Sequence, residues 1–383
     1  MSFKSKYLAI KVSKGLKYTI LATNIIALIL LFLSTKAQTI APSQSIFIAF
    51  LGMGFPILLL LNILYLIFWI IFLQWKYIIL SVVCLAFCWS AIWIYVPVNS
   101  GTNPEEIPEN CLKFMTYNVR GFNWLTGDEA RSNPIFEYIT NSGADIICFQ
   151  EFAVEKKKSR KKIISLSEFD DIMKDYPYRT IIRLGDLDDS CIYGLACYSK
   201  YPIMKVARVP IESLFNGSAM YEIKVGRKSI TIVNNHLESN RITLEDKELY
   251  KEFIIEKSRQ KLDEVALSVQ QRLAPAFRTR EKQANIIASC IEQQLPRTNA
   301  MIVCGDFNDH PMSYTYNKIK GNMVDSFAAS GSGMGISYHE NGFWFRIDFI
   351  LHTQNIRSYN SFVDKVKYSD HYPLYSYLFI DYI

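Results

Sequence analysis

Six short segments of this 383-residue chain set acids, amides or imidazoles at the ends of apolar runs. Phe114-Met-Thr-Tyr-Asn118 ends on an amide followed by a glycine turn at Gly121, and Asp145-Ile-Ile-Cys-Phe-Gln150-Glu151 ends on a carboxylate. Ile232-Val-Asn234-Asn235-His236 brings an imidazole to the end of its run. Met301-Ile-Val-Cys-Gly305-Asp306-Phe-Asn308 puts a carboxylate and an amide two residues apart, on one face if the chain stays extended. Phe345-Arg346-Ile-Asp348 sets an acid within an apolar strand pattern, where it needs a partner once buried. Tyr368-Ser369-Asp370-His371-Tyr-Pro373 closes the series. Gathered in one place, such oxygens bind hard cations and such imidazoles carry protons near neutral pH. Taken singly, each has an ordinary role: Asn118 or Asp306 as a turn cap, Glu151 as a helix-start acid, a lone histidine as a hydrogen-bonded structural residue. It is their joint occurrence that points to a site.

The runs that carry these residues are short, rich in Ile, Val, Phe and Tyr, and bounded by turn residues, so they are predicted strands. They cover Leu112 to Tyr117, Asp145 to Phe149, Cys191 to Tyr198, Ser229 to Asn234, Ala300 to Cys304, Phe345 to Leu351 and Leu374 to Phe379. Helical patterns lie near Pro134 to Thr140, Leu166 to Lys174, and across Leu244 to Gln294. In the last, Leu262, Val265, Ala266, Val269 and Leu273 form an apolar face that Pro275 interrupts, and the charged remainder reads as a solvated insertion. Cys148 and Cys304 fall on strand patterns as inert core residues, and no cysteine or histidine spacing suggests zinc.

Charge and hydropathy divide the chain. Residues 1–99 hold seven lysines and no acid, whereas the rest has 35 basic against 36 acidic residues. The overall charge of +6 therefore belongs to the head and gives the body no nucleic-acid-binding surface. The only basic cluster of note in the body, Lys156 to Lys162, reads as a solvated loop. Three apolar stretches in the head, about 18–34, 46–73 and 77–98, are each expected to span a membrane, making residues 1–98 an anchor. The first is marginal in length, and the second is expected to be irregular near Pro56. Five lysines before the first span keep the N-terminus in the cytoplasm, so three spans place the body on the opposite side. A linker, residues 99–110, follows and is expected to let the body swing toward the bilayer surface. Nothing in the sequence sets an oligomeric state.

The six motifs, in this order, resemble the endonuclease/exonuclease/phosphatase superfamily of DNase-like, metal-dependent phosphoesterases. GDFND at Gly305 to Asp309 with SDHYP at Ser369 to Pro373 is the most specific pair, and GLACYSKYPI from Gly194 to Ile203 resembles the family's central strand and turn. The resemblance spans most of residues 112–380. It implies an α/β (α+β) fold for residues 111–383, a four-layer α/β/β/α sandwich of two mixed sheets preceded by the transmembrane helices, with residues 244–282 as an elaboration. It implies Glu151 as the principal metal carboxylate, helped by Asn118 and Asp370, with Mg²⁺ as the cation and Mn²⁺ as its substitute. Asp306 and Asn308 would position or activate water and hold the transition state. His371 would act as base or electrostatic clamp, oriented by Asp348, while His236 and Asn234 would serve the substrate phosphate. The function so implied is Mg²⁺-dependent hydrolysis of a phosphoester; the membrane anchor favours lipid or another surface substrate, and the lysines of the head place the enzyme in a bacterial inner membrane facing the periplasm. A nuclease and a non-catalytic phosphate-binding module are the alternatives, and the charge of the body disfavours nucleic acid.

Overall fold

The computed structural model describes residues 14–159, 161–185, 189–240, 259–340 and 344–381. Strand parity sorts the body into layers. In β1 (Leu112–Asn118), Phe114 joins a core cluster between two sheets, while Met115 and Tyr117 join a second cluster beneath outer helices. In β8 (Met301–Asp306), Ile302 and Cys304 point inward and Met301 and Val303 outward. The result is two six-stranded mixed sheets face to face with helices outside, as the resemblance implied.

The first sheet runs β11-β12-β1-β2-β4-β3 and the second β5-β6-β7-β8-β10-β9. The remaining strands are β2 (Ile146–Glu155), β3 (Tyr178–Arg183), β4 (Cys191–Ser199), β5 (Ile203–Val209), β6 (Gly217–Val225), β7 (Lys228–His236), β9 (Val324–Asp325), β10 (Asp348–His352), β11 (Ile356–Val363) and β12 (Leu374–Ile380). Each sheet has one parallel pair at its centre, β1 with β2 and β7 with β8. All other pairings are antiparallel. Cys148 and Cys304 lie in the core between the sheets, and burial drives the Cys148 thiol pKa well up, which keeps it protonated.

Five helices form the head: α1 (Lys14–Thr35), α2 (Ile46–Met53), α3 (Phe55–Ile71), α4 (Trp75–Phe87) and α5 (Trp89–Tyr95). The stretch from Gly15 to Gln38, 24 residues, is long and apolar enough to cross a membrane. α2 and α3 meet at 60° and α4 and α5 at 65°, so the head has one candidate span, or up to three if each bent pair counts as one. The first bend falls beside Pro56, as expected; the second falls at Cys88 and Trp89, where no proline or glycine announces it. Polar side chains tie the head helices together: the Trp69 indole donates to Asn24 Oδ1 at 2.8 Å, and the Asn62 amide donates to the carbonyls of Ala27 and Leu58.

In the body, α6 (Gly127–Arg131) precedes α7 (Pro134–Asn141) and α8 (Leu166–Ile172), which cover the first sheet, with α8 opened by a Ser165/Glu168 capping box. The second sheet is covered by α9 (Arg259–Gln294) and α10 (Tyr314–Lys320), while α11 (Ser326–Ser330) precedes β10. Two expectations change here. Pro275 does not interrupt α9, which runs for 36 residues through it. Nor is 244–282 an appendage along its whole length, because Leu273, Ala276 and Phe277 are buried and Arg280 is fully so, whereas residues 241–258 lie outside the described residues.

The linker does not swing free. Asn99 Nδ2 donates to the carbonyls of Ala328 and Gly331, and Asn360 bridges both the amide and the carbonyl of Thr102. The head also sits directly on the body. Ser43 gives its amide and hydroxyl to Glu281, Phe50 meets Phe277 edge to face, and Gly52 packs against the Met312 carbonyl and the His310 ring. A methyl on Gly52 would come within 2.9 Å of that carbonyl, so the contact requires glycine.

Candidate active site

The register of the two parallel pairs decides where the chemistry gathers. Asn118, at the end of β1, lies beside Gln150 within β2, and His236 lies beside Asp306 at the ends of β7 and β8. Asp348, the first residue of β10, pairs with Asp306. Asn118, Asn234, His236, Asp306 and Asp348 share the parity of the inner-face residues of their strands, so both sheets deliver their polar ends to one rim.

Two backbone irregularities complete the convergence. A β-bulge in β2 between Phe149 and Phe152 places Glu151 at φ 50°, adding a residue that breaks alternation and re-aims its side chain. Asn308 sits at φ 51° just past β8, so Asp306 and Asn308 meet through a tight turn and not along an extended strand. The Asn308 amide N–H donates to Asp306 Oδ1 at 2.8 Å, and its side-chain Nδ2 donates to the Leu237 carbonyl at 2.9 Å. Left-handed residues other than glycine are costly, and those retained here bear functional side chains. Gly305, at φ 115°, has no alternative: a Cβ there would stand 2.0 Å from the Asn235 carbonyl oxygen.

At the centre, Asn118 Nδ2 donates to Glu151 Oε1 and to Asp306 Oδ2, each at 3.0 Å. His236 Nε2 lies 3.5 Å from the same Glu151 oxygen, 3.9 Å from Asp306 Oδ2 and 3.3 Å from the Asn216 amide. His371 Nδ1 meets Asp348 Oδ2 at 2.8 Å, and its Nε2 stands 3.6 Å from Asp306 Oδ2. Asp306, Asp348 and His371 thus bring ligand atoms within 4.8 Å of one another, and all three are buried. The Ser337 hydroxyl accepts the Asp348 amide and so fixes the start of β10.

Electrostatics follow from this crowding. Burial pushes the Asp306 carboxyl up to about 6; Asp348 adds to the rise, while His371 and His236 oppose it. Burial alone would lower His371, but Asp348 and Asp306 overcome it and hold the imidazole well above its usual range. His371 is therefore the charged partner of the cluster at neutral pH, with Nδ1 committed to Asp348 and Nε2 aimed at the centre.

Two expected residues have other surroundings. Asn234 accepts the Gln150 amide at 2.6 Å and donates to the Phe149 carbonyl at 3.1 Å, deep between the sheets. Its amide joins the two sheets, so the phosphate contact expected of it does not match its position. Asp370 faces Arg120, with Oδ2 3.6 Å from Arg120 Nε, and is held off the Asn118 amide that gathers Glu151 and Asp306. It remains tied to the rim through Ser369, whose hydroxyl donates to the Asn118 carbonyl at 2.9 Å.

Residues that sequence reasoning overlooked hold this rim in place. Arg280 of α9, with no exposed surface, donates from Nη1 to the Glu238 carbonyl at 2.7 Å and from Nε to Asp309 Oδ2 at 3.2 Å. Gln283, one turn on, accepts the Glu238 amide. One helix therefore clamps the chain just after His236 and just after Asn308. Arg280 and Gln283 stand at helical spacing from the apolar positions Ala284, Ile287 and Ile291, a pattern that the charged stretch around them masks.

A family model described as Endonuclease/Exonuclease/phosphatase family matches residues 115–371, which include every residue named at this rim. The chain belongs to that family. Family members are generally phosphoester hydrolases, typically dependent on a divalent metal. The head, residues 17–95, matches a separate model described as a domain of unknown function, DUF8431. Similar solved structures include an endonuclease/exonuclease/phosphatase from Beutenbergia cavernae DSM 12333, 15% identical, covering 70% of this chain and 72% of that one with a TM-score of 0.46. TDP2 from C. elegans is 16% identical over 72% and 78%, with a TM-score of 0.48. A family protein from Bacteroides vulgatus is 18% identical over 71% and 100%, also at 0.48. No curated protein matches the chain.

The donor set fits a hard cation. An N–H held between two carboxylate oxygens marks the point where positive charge is most favoured, and Glu151 keeps a partly exposed carboxylate there.

Proposed function

We propose that this protein is a membrane-anchored, Mg²⁺-dependent hydrolase that cleaves phosphoester bonds of a lipid or other surface substrate. One observation carries the reading: the His371–Asp348 pair, Asp306 and the Asn118–Glu151 pair converge at one rim from both sheets. Glu151 is the residue we assign to Mg²⁺, with Asn118 bonded to it and Asp370 as the further acid of the set, tied to the same rim through Ser369, and Mn²⁺ able to substitute. The cation, when bound, neutralises the phosphate and stabilises the leaving oxygen as charge develops on it.

The chain's own groups account for the rest. Asp306 orients the attacking water and accepts its proton, for which a carboxyl raised to about 6 is well matched. The His371 imidazolium, oriented by Asp348, directs Nε2–H at a phosphoryl oxygen and stabilises the charge gathering there. His236 serves the phosphate from the opposite side, with Asn216 beside it, and Asn308 holds Asp306 in position. Water attacks phosphorus once, the bond to the leaving oxygen breaks, and the configuration at phosphorus inverts.

The head supports a membrane location with the N-terminus in the cytoplasm and the catalytic domain on the outer side of a bacterial inner membrane. Nucleic acid is disfavoured. The body lacks excess positive charge, and within its basic run Lys158 pairs with Glu168 and Lys162 with Glu155. The full chain in vesicles, supplied with Mg²⁺ and a panel of phospholipids, inositol phosphates, DNA and RNA, tests the proposal. Turnover of a lipid phosphoester is the expected result; cleavage confined to nucleic acid would overturn the substrate class.

A further inference from the structure

A cavity of about 700 Å³ lies beside the catalytic rim and takes no part in it. A short two-stranded ladder separates the two, with Tyr338 bridging to His371. On one face of this ladder the Tyr338 and His371 rings touch, with centroids 5.1 Å apart, at the catalytic cluster. On the other, His339 and Tyr372 stack at 3.9 Å and line the cavity. A molecule whose phosphate reaches His371 therefore reaches the cavity by crossing the edge of this ladder, which is one strand pair thick.

The chemistry of the walls specifies what would enter. Phe327, Met334, Ile336, Phe362 and Val363 supply apolar surface, and no acid lines the cavity among the described residues. Most of the polar side chains there are already engaged, and the lining's one charged group, Lys365, is exposed to solvent. Asn99 donates to Ala328 and Gly331, Asn360 holds Thr102, Ser330 meets Ser361, and His339 Nε2 faces the Ser369 carbonyl. A polar ligand would find few free partners, whereas a hydrocarbon needs none.

Position specifies where the occupant comes from. The wall from Ser330 to Gly335 is strapped to the chain leaving the head: Gly333 donates to the Pro97 carbonyl, and Val98 bridges to Ser332. α5, the last helix of the head, ends at Tyr95. The cavity thus opens where the chain emerges from its apolar segment, and Val98 and Trp344 beside it are 70% and 64% exposed.

We propose that this cavity receives the hydrocarbon portion of an amphiphilic phosphoester drawn from the bilayer while its phosphate lies at His371. The inference rests on the phosphoester-hydrolase reading above and deepens it to a lipid subsite. Gly101 offers a clean test. It lines the cavity, a Cβ there makes only an ordinary 3.6 Å contact with Asn360 Oδ1, and its backbone needs no glycine, so Gly101→Phe brings a bulky ring to the cavity wall without backbone strain.

The full chain in nanodiscs is given p-nitrophenyl alkyl phosphates from ethyl to decyl, and phospholipid vesicles in a parallel arm. In the native chain, kcat/KM should rise roughly threefold to fourfold per methylene that enters the cavity. Gly101→Phe should hydrolyse the ethyl ester within about twofold of native, flatten the chain-length dependence, and lose at least tenfold on vesicles. Equal chain-length dependence in both proteins, or native turnover of vesicles by the variant, overturns the lipid subsite. Absence of turnover for every ester overturns the hydrolase reading itself, which is a different outcome from flat turnover. Met334→Asp, which places a charge in the same lining, should have the same effect and keeps the test decisive if Gly101→Phe does not fold.

Discussion

Replacing Asp348 by Asn removes one charge and almost no volume at a buried ion pair of the site. Asp348 Oδ2 lies 2.8 Å from His371 Nδ1, and both side chains are almost wholly buried. At an effective dielectric of 20, unit charges at this separation attract by about 6 kcal/mol, and desolvation offsets part of that. Breaking a buried pair costs about 3–5 kcal/mol. At 1.36 kcal/mol per decade, kcat should fall by about 10²–10⁴ if His371 must be a correctly oriented imidazolium. The pH profile carries the sharper signature. In the native chain the His371 pKa is raised, so the cation persists at neutral pH and is lost only as pH climbs through that raised value. In Asp348→Asn the largest raising influence is gone and burial acts against the charge, so activity at pH 8 should fall further than activity at pH 5.5. Steady-state rates on a chromogenic phosphodiester across that range decide the matter. A kcat within threefold of native and an unchanged pH 8 to pH 5.5 ratio would refute the assigned role of the pair.

Other consequences follow from the same geometry. Arg280→Met should lower stability by about 3–5 kcal/mol, because Asp309 is left buried without its partner, and thermal unfolding would register the loss. Gly305→Ala should be worse tolerated than any exposed glycine change, since its Cβ overlaps the Asn235 carbonyl, and circular dichroism with activity would show a misfolded or inactive chain. Asp306 sets a pH dependence of stability. Its folded pKa near 6 exceeds the unfolded 3.8, so the folded state binds the proton more tightly. In metal-free buffer the resulting stabilisation is full below the unfolded value and is lost as pH rises through about 6. The loss is on the order of 3 kcal/mol and should vanish in Asp306→Asn. Chelation with EDTA should abolish turnover, and added Mg²⁺ or Mn²⁺ should restore it.

Some of this was open to reading in one dimension. Apolar runs that end in Asn118, His236 and Asp306 mark strands whose tips share a rim, and Glu151 joins them from within β2, beside the end of β1. The weaker strands β3, β5, β6 and β11 escaped notice, since their partly exposed faces interrupt the apolar pattern. The aim of Glu151 depends on a bulge, and the meeting of Asp306 with Asn308 depends on a left-handed residue, neither of which hydropathy encodes. Arg280 was hidden for a different reason. A charged residue in a charged stretch looks solvated, and only the packed helix shows that its guanidinium is fully buried between two catalytic loops. Asn234 shows the converse error, a site-like amide whose hydrogen bonds are all consumed in joining the sheets.

The most direct measurement is turnover of a simple phosphodiester by the full chain in Mg²⁺, compared with Glu151→Ala and His371→Ala. The proposed site requires both groups, so native activity should be reduced at least a hundredfold in each variant while the fold is retained. Activity that survives both substitutions would place the chemistry elsewhere and contradict the account.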